Sequence, residues 1–134
     1  MRTFLVVVGL TALVATLALA QSESDYQGWM KTNASTMASL QKNITAKDGG
    51  LVASDAQKLE GIFKQVEAFW QGRNTADAVN FAKQAQAAAA AISRTAAAGN
   101  LDQAGTEVKN LQGTCGGCHM AHRERTPEGA FKIK

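Results

Sequence analysis

Cys115, Gly116, Gly117, Cys118 and His119 follow one another as Cys-x-x-Cys-His, and these two cysteines are the only ones in the chain. Two thiols at that spacing with an imidazole directly after them form the pattern of c-type haem attachment, in which both thiols add to the haem vinyls and the imidazole binds the iron. On a helix Cys115 and His119 are four residues apart and share a face, while Cys118 is turned by about 100° from His119 towards the second vinyl. Gly116 and Gly117 each cost a helix roughly 1 kcal/mol relative to Ala, a cost that room for a macrocycle against the backbone would explain. Three other readings use the same atoms. A thioredoxin-like dithiol would sit at a strand-to-helix junction, and no strand-like alternation precedes Cys115. Zinc would take Cys115, Cys118, His119 and His122, but structural zinc sites draw ligands from two separated pairs, and four donors within eight residues of one helix converge poorly. The fourth is a simple disulfide.

These residues need a scaffold, and the composition says which kind. The chain has 134 residues, 46% hydrophobic and 19% charged, which fits one small globular domain. It has a single Pro, eight aromatic residues of which five are Phe, and an alanine run from Ala87 to Ala91. That composition favours helices over sheet, so the expected class is all-α. The formal charge of +3, from 14 Lys and Arg against 11 Asp and Glu, is too weak and too scattered for a nucleic-acid groove.

Residues 1–20 have a composition of their own: Arg2, an uncharged run from Phe4, and an ending of Ala18, Leu19 and Ala20. Small residues at the two cleavage-specifying positions mark a secretory signal peptide, and Ala, Thr and Gly dilute the run while no basic stop-transfer flank follows it. The expected product is exported, begins near Gln21 and keeps no stable membrane anchor.

Four amphipathic segments follow. Ser24-Asp25-Tyr26-Gln27 reads as a capping box, after which Tyr26, Met30, Asn33, Met37, Leu40 and Ile44 recur at helical spacing until Asp48-Gly49-Gly50. Ser54 starts a second segment with a stripe of Ala56, Leu59, Ile62, Phe63, Val66, Phe69 and Trp70, ending before Gly72. Thr75 caps a third through Val79, Ala82, Ala85, Ala89 and Ile92, with Gly99 past its end, and Asp102 caps a fourth carrying Val108, Leu111, Cys115, Cys118 and His122 on one seam. Short connections make neighbours antiparallel, so the expectation is an up-down-up-down four-helix bundle over residues 21–125 with the haem motif facing inward near one end. Residues 126–134 are expected to be a flexible tail.

Bundle geometry also bears on a second axial ligand. Pro127 ends the fourth helix within about 12 Å of His119, which places the iron where that helix finishes and the first begins. Met30 lies at this level, whereas Met37 is ~10 Å farther along. Met120 points away, and His122 shares the face of the proximal ligand. Met30 is therefore either the ligand trans to His119 or an ordinary core methionine. Trp29, Phe69, Trp70 and Phe81 gather at the same end, as haem walls or as core packing. Arg73 and Arg123 are candidates for the propionates, or surface arginines.

With these residues in place, the chain resembles the class II c-type cytochromes, the family of cytochrome c prime and its low-spin relatives. Cys-Gly-Gly-Cys-His-x-x-x-Arg on the last helix carries the likeness, and Met30-Lys31-Thr32-Asn33-Ala34-Ser35-Thr36-Met37 is similar to the Met-Lys-x-Asn-x-x-x-Met segment of the low-spin members. The resemblance implies one covalent haem c, Met30 as sixth ligand, Asn33 close to it, and a periplasmic location. Two features depart from the pattern: His122 stands where many members have an aromatic residue, and residues 126–134 run past the usual end. His122 is either a titratable group at the haem edge or a solvated helix-end histidine. Asn33-Ala34-Ser35 and Asn43-Ile44-Thr45 match glycosylation acceptors but lie within a helix, so they are given no role.

The function expected is one-electron transfer in the periplasm with unidentified redox proteins, not catalysis. If Met30 does not bind, the alternative is a five-coordinate protein that takes NO or CO. A peroxidase-like enzyme would need a polar acid-base residue on the distal side, where only Asn33 is near. Family members often dimerise through their first two helices, and nothing in these residues decides it.

Overall fold

The computed structural model describes residues 21–134; the expected signal peptide, residues 1–20, lies outside them. Four helices, α1 (Glu23–Thr45), α2 (Gly49–Gly72), α3 (Ala76–Ala97) and α4 (Leu101–His122), are followed by two short strands, β1 (Arg123–Arg125) and β2 (Phe131–Ile133). The helices form a four-helix bundle. No helix among the described residues is long and apolar enough to cross a membrane.

One device closes all three helix-to-helix turns. Lys47, Asn74 and Gly99 each adopt a left-handed conformation, with φ of 59°, 54° and 79°. The next residue's N–H in each case reaches back to the helix: Asp48 to Asn43, Thr75 to Trp70 and Asn100 to Thr95. This 6→1 bond over a left-handed residue is a Schellman ending, and the residue that makes it then occupies the N-cap position of the following helix. A link this short spans the 8–10 Å between helix axes but cannot return along a helix ~33 Å long, so sequence neighbours run antiparallel.

Three expected helix starts move. Ser22, not Ser24, caps α1: its hydroxyl accepts from Asp25 N–H at 3.1 Å while the Asp25 carboxylate accepts from Ser22 N–H at 2.9 Å. Asp48 caps α2 by accepting from Leu51 N–H, so Gly49 and Gly50, read as a helix stop, form the first turn of α2. Asn100, not Asp102, caps α4 by accepting from Gln103 N–H. Thr75 does occupy the cap position of α3, but its hydroxyl donates to the Arg73 carbonyl instead.

The seams follow the 3.6 period. Leu40, Leu59, Ile92, Leu111 and Val52 are the largest fully buried side chains. The buried face of α3 is almost all alanine, Ala78, Ala82, Ala85, Ala88, Ala89 and Ala96 with Ile92, and small side chains let α3 lie close against both α2 and α4. At the far end of the bundle the approach is closer still, since a Cβ on Gly49 would fall 2.8 Å from the Ala96 carbonyl oxygen.

Residues 126–134, expected as a flexible tail, form the turn and second strand of a hairpin whose first strand is 123–125. β1 and β2 pair antiparallel, with Arg123 opposite Ile133, Glu124 opposite Lys132 and Arg125 opposite Phe131. The turn is closed by Thr126 N–H to Ala130 O and by Gly129 at φ 85°. Lys134 N–H donates to His122 O, and Ile133 packs on the core, so the hairpin folds back onto the end of the bundle.

Candidate functional site: a cleft between the first and last helices

The bundle is tightly packed along α1–α2, α2–α3 and α3–α4, while α1 and α4 do not pack on each other as these pairs do. Two cavities, of about 480 and 410 Å³, fill that fourth seam, and Met30, Cys118, His119 and Arg123 line both. Each is within the size range of cofactor and ligand pockets. The cavity nearer the hairpin is lined by Phe131 and Ile133 together with Tyr26 and Lys31. The deeper one is lined by Cys115, Asn33, Met37 and Phe81.

The structure therefore brings Cys115, Cys118, His119 and Met30 to one cleft. α4 supplies Cys115, Cys118 and His119, all half-buried, and α1 supplies Met30 from the other wall. Both thiols are free. Burial raises the pKa of Cys115, and burial, with lesser contributions from the charges of Cys115 and Asp77, pushes Cys118 up to about 11. Thiols so protonated at neutral pH are the opposite of a thioredoxin-like dithiol, whose attacking cysteine is ionised by a lowered pKa. His119 is lowered by burial first and then by the Arg123 guanidinium, which favours the neutral imidazole that a metal requires. Among the described residues no three His, Cys, Asp or Glu side chains are grouped to hold an ion, so the four donors of the zinc reading do not come together.

Two glycines in the motif do different work. A Cβ on Gly116 would meet nothing within 4 Å, and Gly116 lines the deeper cavity. A Cβ on Gly117 would lie 2.9 Å from the Phe81 ring, so that position is already filled by α3 and not kept open for a cofactor.

Asn33 has the most telling environment in the cleft. It is 7% exposed, it lines the deeper cavity, and neither its carboxamide nitrogen nor its oxygen has a hydrogen-bond partner. A buried polar group left unpaired costs about 1–3 kcal/mol, a cost that a group bound in the cleft would remove.

The remaining residues expected at the pocket divide. Phe81 and Arg123 line it. Trp29, Phe69 and Trp70 are not among its lining residues; they pack around Tyr26, which is, at ring separations of 4.7–6.4 Å, Trp29 and Trp70 edge-on. Burial pushes the Tyr26 hydroxyl up to about 12. Arg73 is held at the rim, 3.4 Å from Glu23 and over the Phe69 ring at 4.3 Å, instead of entering the cleft. His122 is neither free in solvent nor idle: its Nε2 is 2.8 Å from Asp77 Oδ2 and its ring is 5.0 Å from that of Trp70. Sequence reasoning missed the hairpin's part in the site, although Arg-Glu-Arg and Phe-Lys-Ile around Thr126-Pro127-Glu128-Gly129 carry the turn and alternation of a hairpin.

Comparison with protein-family models, with curated proteins and with solved structures finds no match to this chain.

Proposed function

We propose that this protein is an exported c-type cytochrome that carries single electrons. The observation that carries the reading is the convergence of Cys115, Cys118, His119 and Met30 on one cleft between α1 and α4. Haem, when bound, supplies a one-electron ferric and ferrous couple. The chain fits that group: the thiols are free and line the cleft, Gly116 leaves open space, and Asn33 has unpaired polar atoms in the wall.

In this reading Cys115 and Cys118 would hold haem through thioether bonds, and His119 and Met30 would be its iron ligands. The Met30 thioether is a soft ligand that favours the ferrous state and raises the potential. Phe81, Tyr26 and the hairpin residue Ile133 line the cleft with apolar surface, which would limit the reorganisation accompanying a change of charge.

A gas-binding reading would need an open sixth position, and Met30 on the facing helix argues against it. The test is the visible spectrum of the haem-loaded protein before and after CO. A low-spin spectrum indifferent to CO supports the carrier, with Met30→Ala converting it to a CO-binding form. Wild-type protein that binds CO readily would overturn the Met30 assignment.

A further inference from the structure

The bundle and the hairpin differ in charge. Side chains from 21 to 122 include nine Lys or Arg and nine Asp or Glu, so the helices are neutral, whereas 123–134 holds four basic and two acidic residues. Lys132 is paired with Glu124 at 3.1 Å, and Lys134 Nζ donates to the Met120 carbonyl. Arg123 and Arg125 have no carboxylate partner among the described residues. Their guanidinium carbons lie 4.0 and 4.7 Å from the centre of one ring, that of Phe131, which is 44% exposed.

Two guanidinium groups on one aromatic repel each other, and stacking holds both with little side-chain freedom left to lose. What the arrangement lacks is an anion. Planar guanidinium forks match carboxylates bidentately, and an aromatic beside fixed arginines is the composition found at the centre of protein interfaces. Phe131 also lines the cavity that holds His119 and Met30, so whatever docks there is brought to the mouth of the cleft.

We propose that the Arg123–Arg125–Phe131 face of the hairpin is the docking surface for the carboxylate-rich face of a partner protein. That the partner is a redox protein rests on the electron-transfer reading; the docking rests on the hairpin alone. An acidic protein fits better than an anionic membrane, because one exposed aromatic interleaved with Glu124 and Glu128 gives a lipid surface little apolar area to hold.

The test uses haem-loaded protein on gold electrodes bearing carboxylate-terminated or hydroxyl-terminated monolayers, with adsorbed mass and electron-transfer rate read at low and high salt. Phosphatidylglycerol vesicles serve as the lipid comparison. Arg125 is not among the cavity-lining residues, so Arg125→Glu spares the cleft, and Arg125→Gln guards against loss of the hairpin fold. Lys58→Glu makes the same change of net charge on the exposed face of α2, ~18 Å along the helix from Trp70. Salt-sensitive binding to carboxylate, weakened about tenfold by Arg125→Glu and less by Arg125→Gln but little changed by Lys58→Glu, supports the proposal. Equal effects of Arg125→Glu and Lys58→Glu, no preference for carboxylate over hydroxyl, or tighter binding to the vesicles would overturn it. Arg125-dependent mass uptake without a voltammetric wave would uphold the docking surface and remove the electron-transfer reading.

Discussion

The Phe81 ring of α3 lies against the backbone of Gly117 in α4, so close that a Cβ there would come within 2.9 Å of it. This contact fixes the height of the attachment motif against its neighbouring helix. The two motif glycines should therefore respond oppositely to alanine. Gly116→Ala meets open space and gains helix propensity, raising the unfolding free energy of the haem-free protein in urea by about 0.5–1 kcal/mol. Gly117→Ala forces the Phe81 ring to move, so it should gain less or lose stability and change the near-ultraviolet circular dichroism. Equal stabilisation by both changes would contradict the contact.

The turns offer a second check. Lys47 holds a left-handed conformation without being glycine, at a cost of roughly 1 kcal/mol. Lys47→Gly should raise stability by about that amount in urea unfolding. Gly49→Ala should lower it by about 1–3 kcal/mol, because the new methyl meets a backbone oxygen of Ala96 that cannot turn aside.

Seams were legible in the sequence and ends were not. Leu59, Phe63, Val66 and Trp70 repeat at the helical period, and burial alone dictates that period. The starts at Ser22 and Asp48 depend on which of several adjacent Ser, Asp and Gly residues the turn geometry selects, and Gly49 is required by Ala96, a residue forty-seven positions away. That Cys115, Cys118 and His119 lie on one helix was legible because their spacing is local. The places of Arg73 and His122 were not, since Glu23 and Asp77, their partners, meet them only after folding.

Acid should weaken the fold through two aspartates. The Ser22 N–H holds the Asp25 carboxyl below its ordinary 3.8, and the hydrogen bond from His122 does the same for Asp77. A carboxyl depressed in the folded state contributes stability above its unfolded value, and that contribution disappears as pH falls through the folded value. Asp25→Asn and Asp77→Asn should each show a smaller drop in urea midpoint between pH 7 and a pH of about 3 than the wild type. An unchanged acid limb in both variants would contradict these pairings.

In the c-type cytochrome reading, Asn33 should distinguish the haem-free from the haem-loaded protein. With its carboxamide unpaired, Asn33→Leu should raise the stability of the haem-free protein by about 1 kcal/mol. The gain should shrink or reverse once haem is attached. A gain of the same size in both forms would show that Asn33 makes no contact with a bound group.

Intact mass spectrometry of the denatured protein tests the covalent attachment of haem to α4 most directly. Produced together with haem-attachment machinery, the chain should carry the mass of one haem, and Cys115→Ala with Cys118→Ala should carry none. A wild-type mass without haem, whether with free thiols or with two hydrogens lost to a Cys115–Cys118 disulfide, would contradict the account.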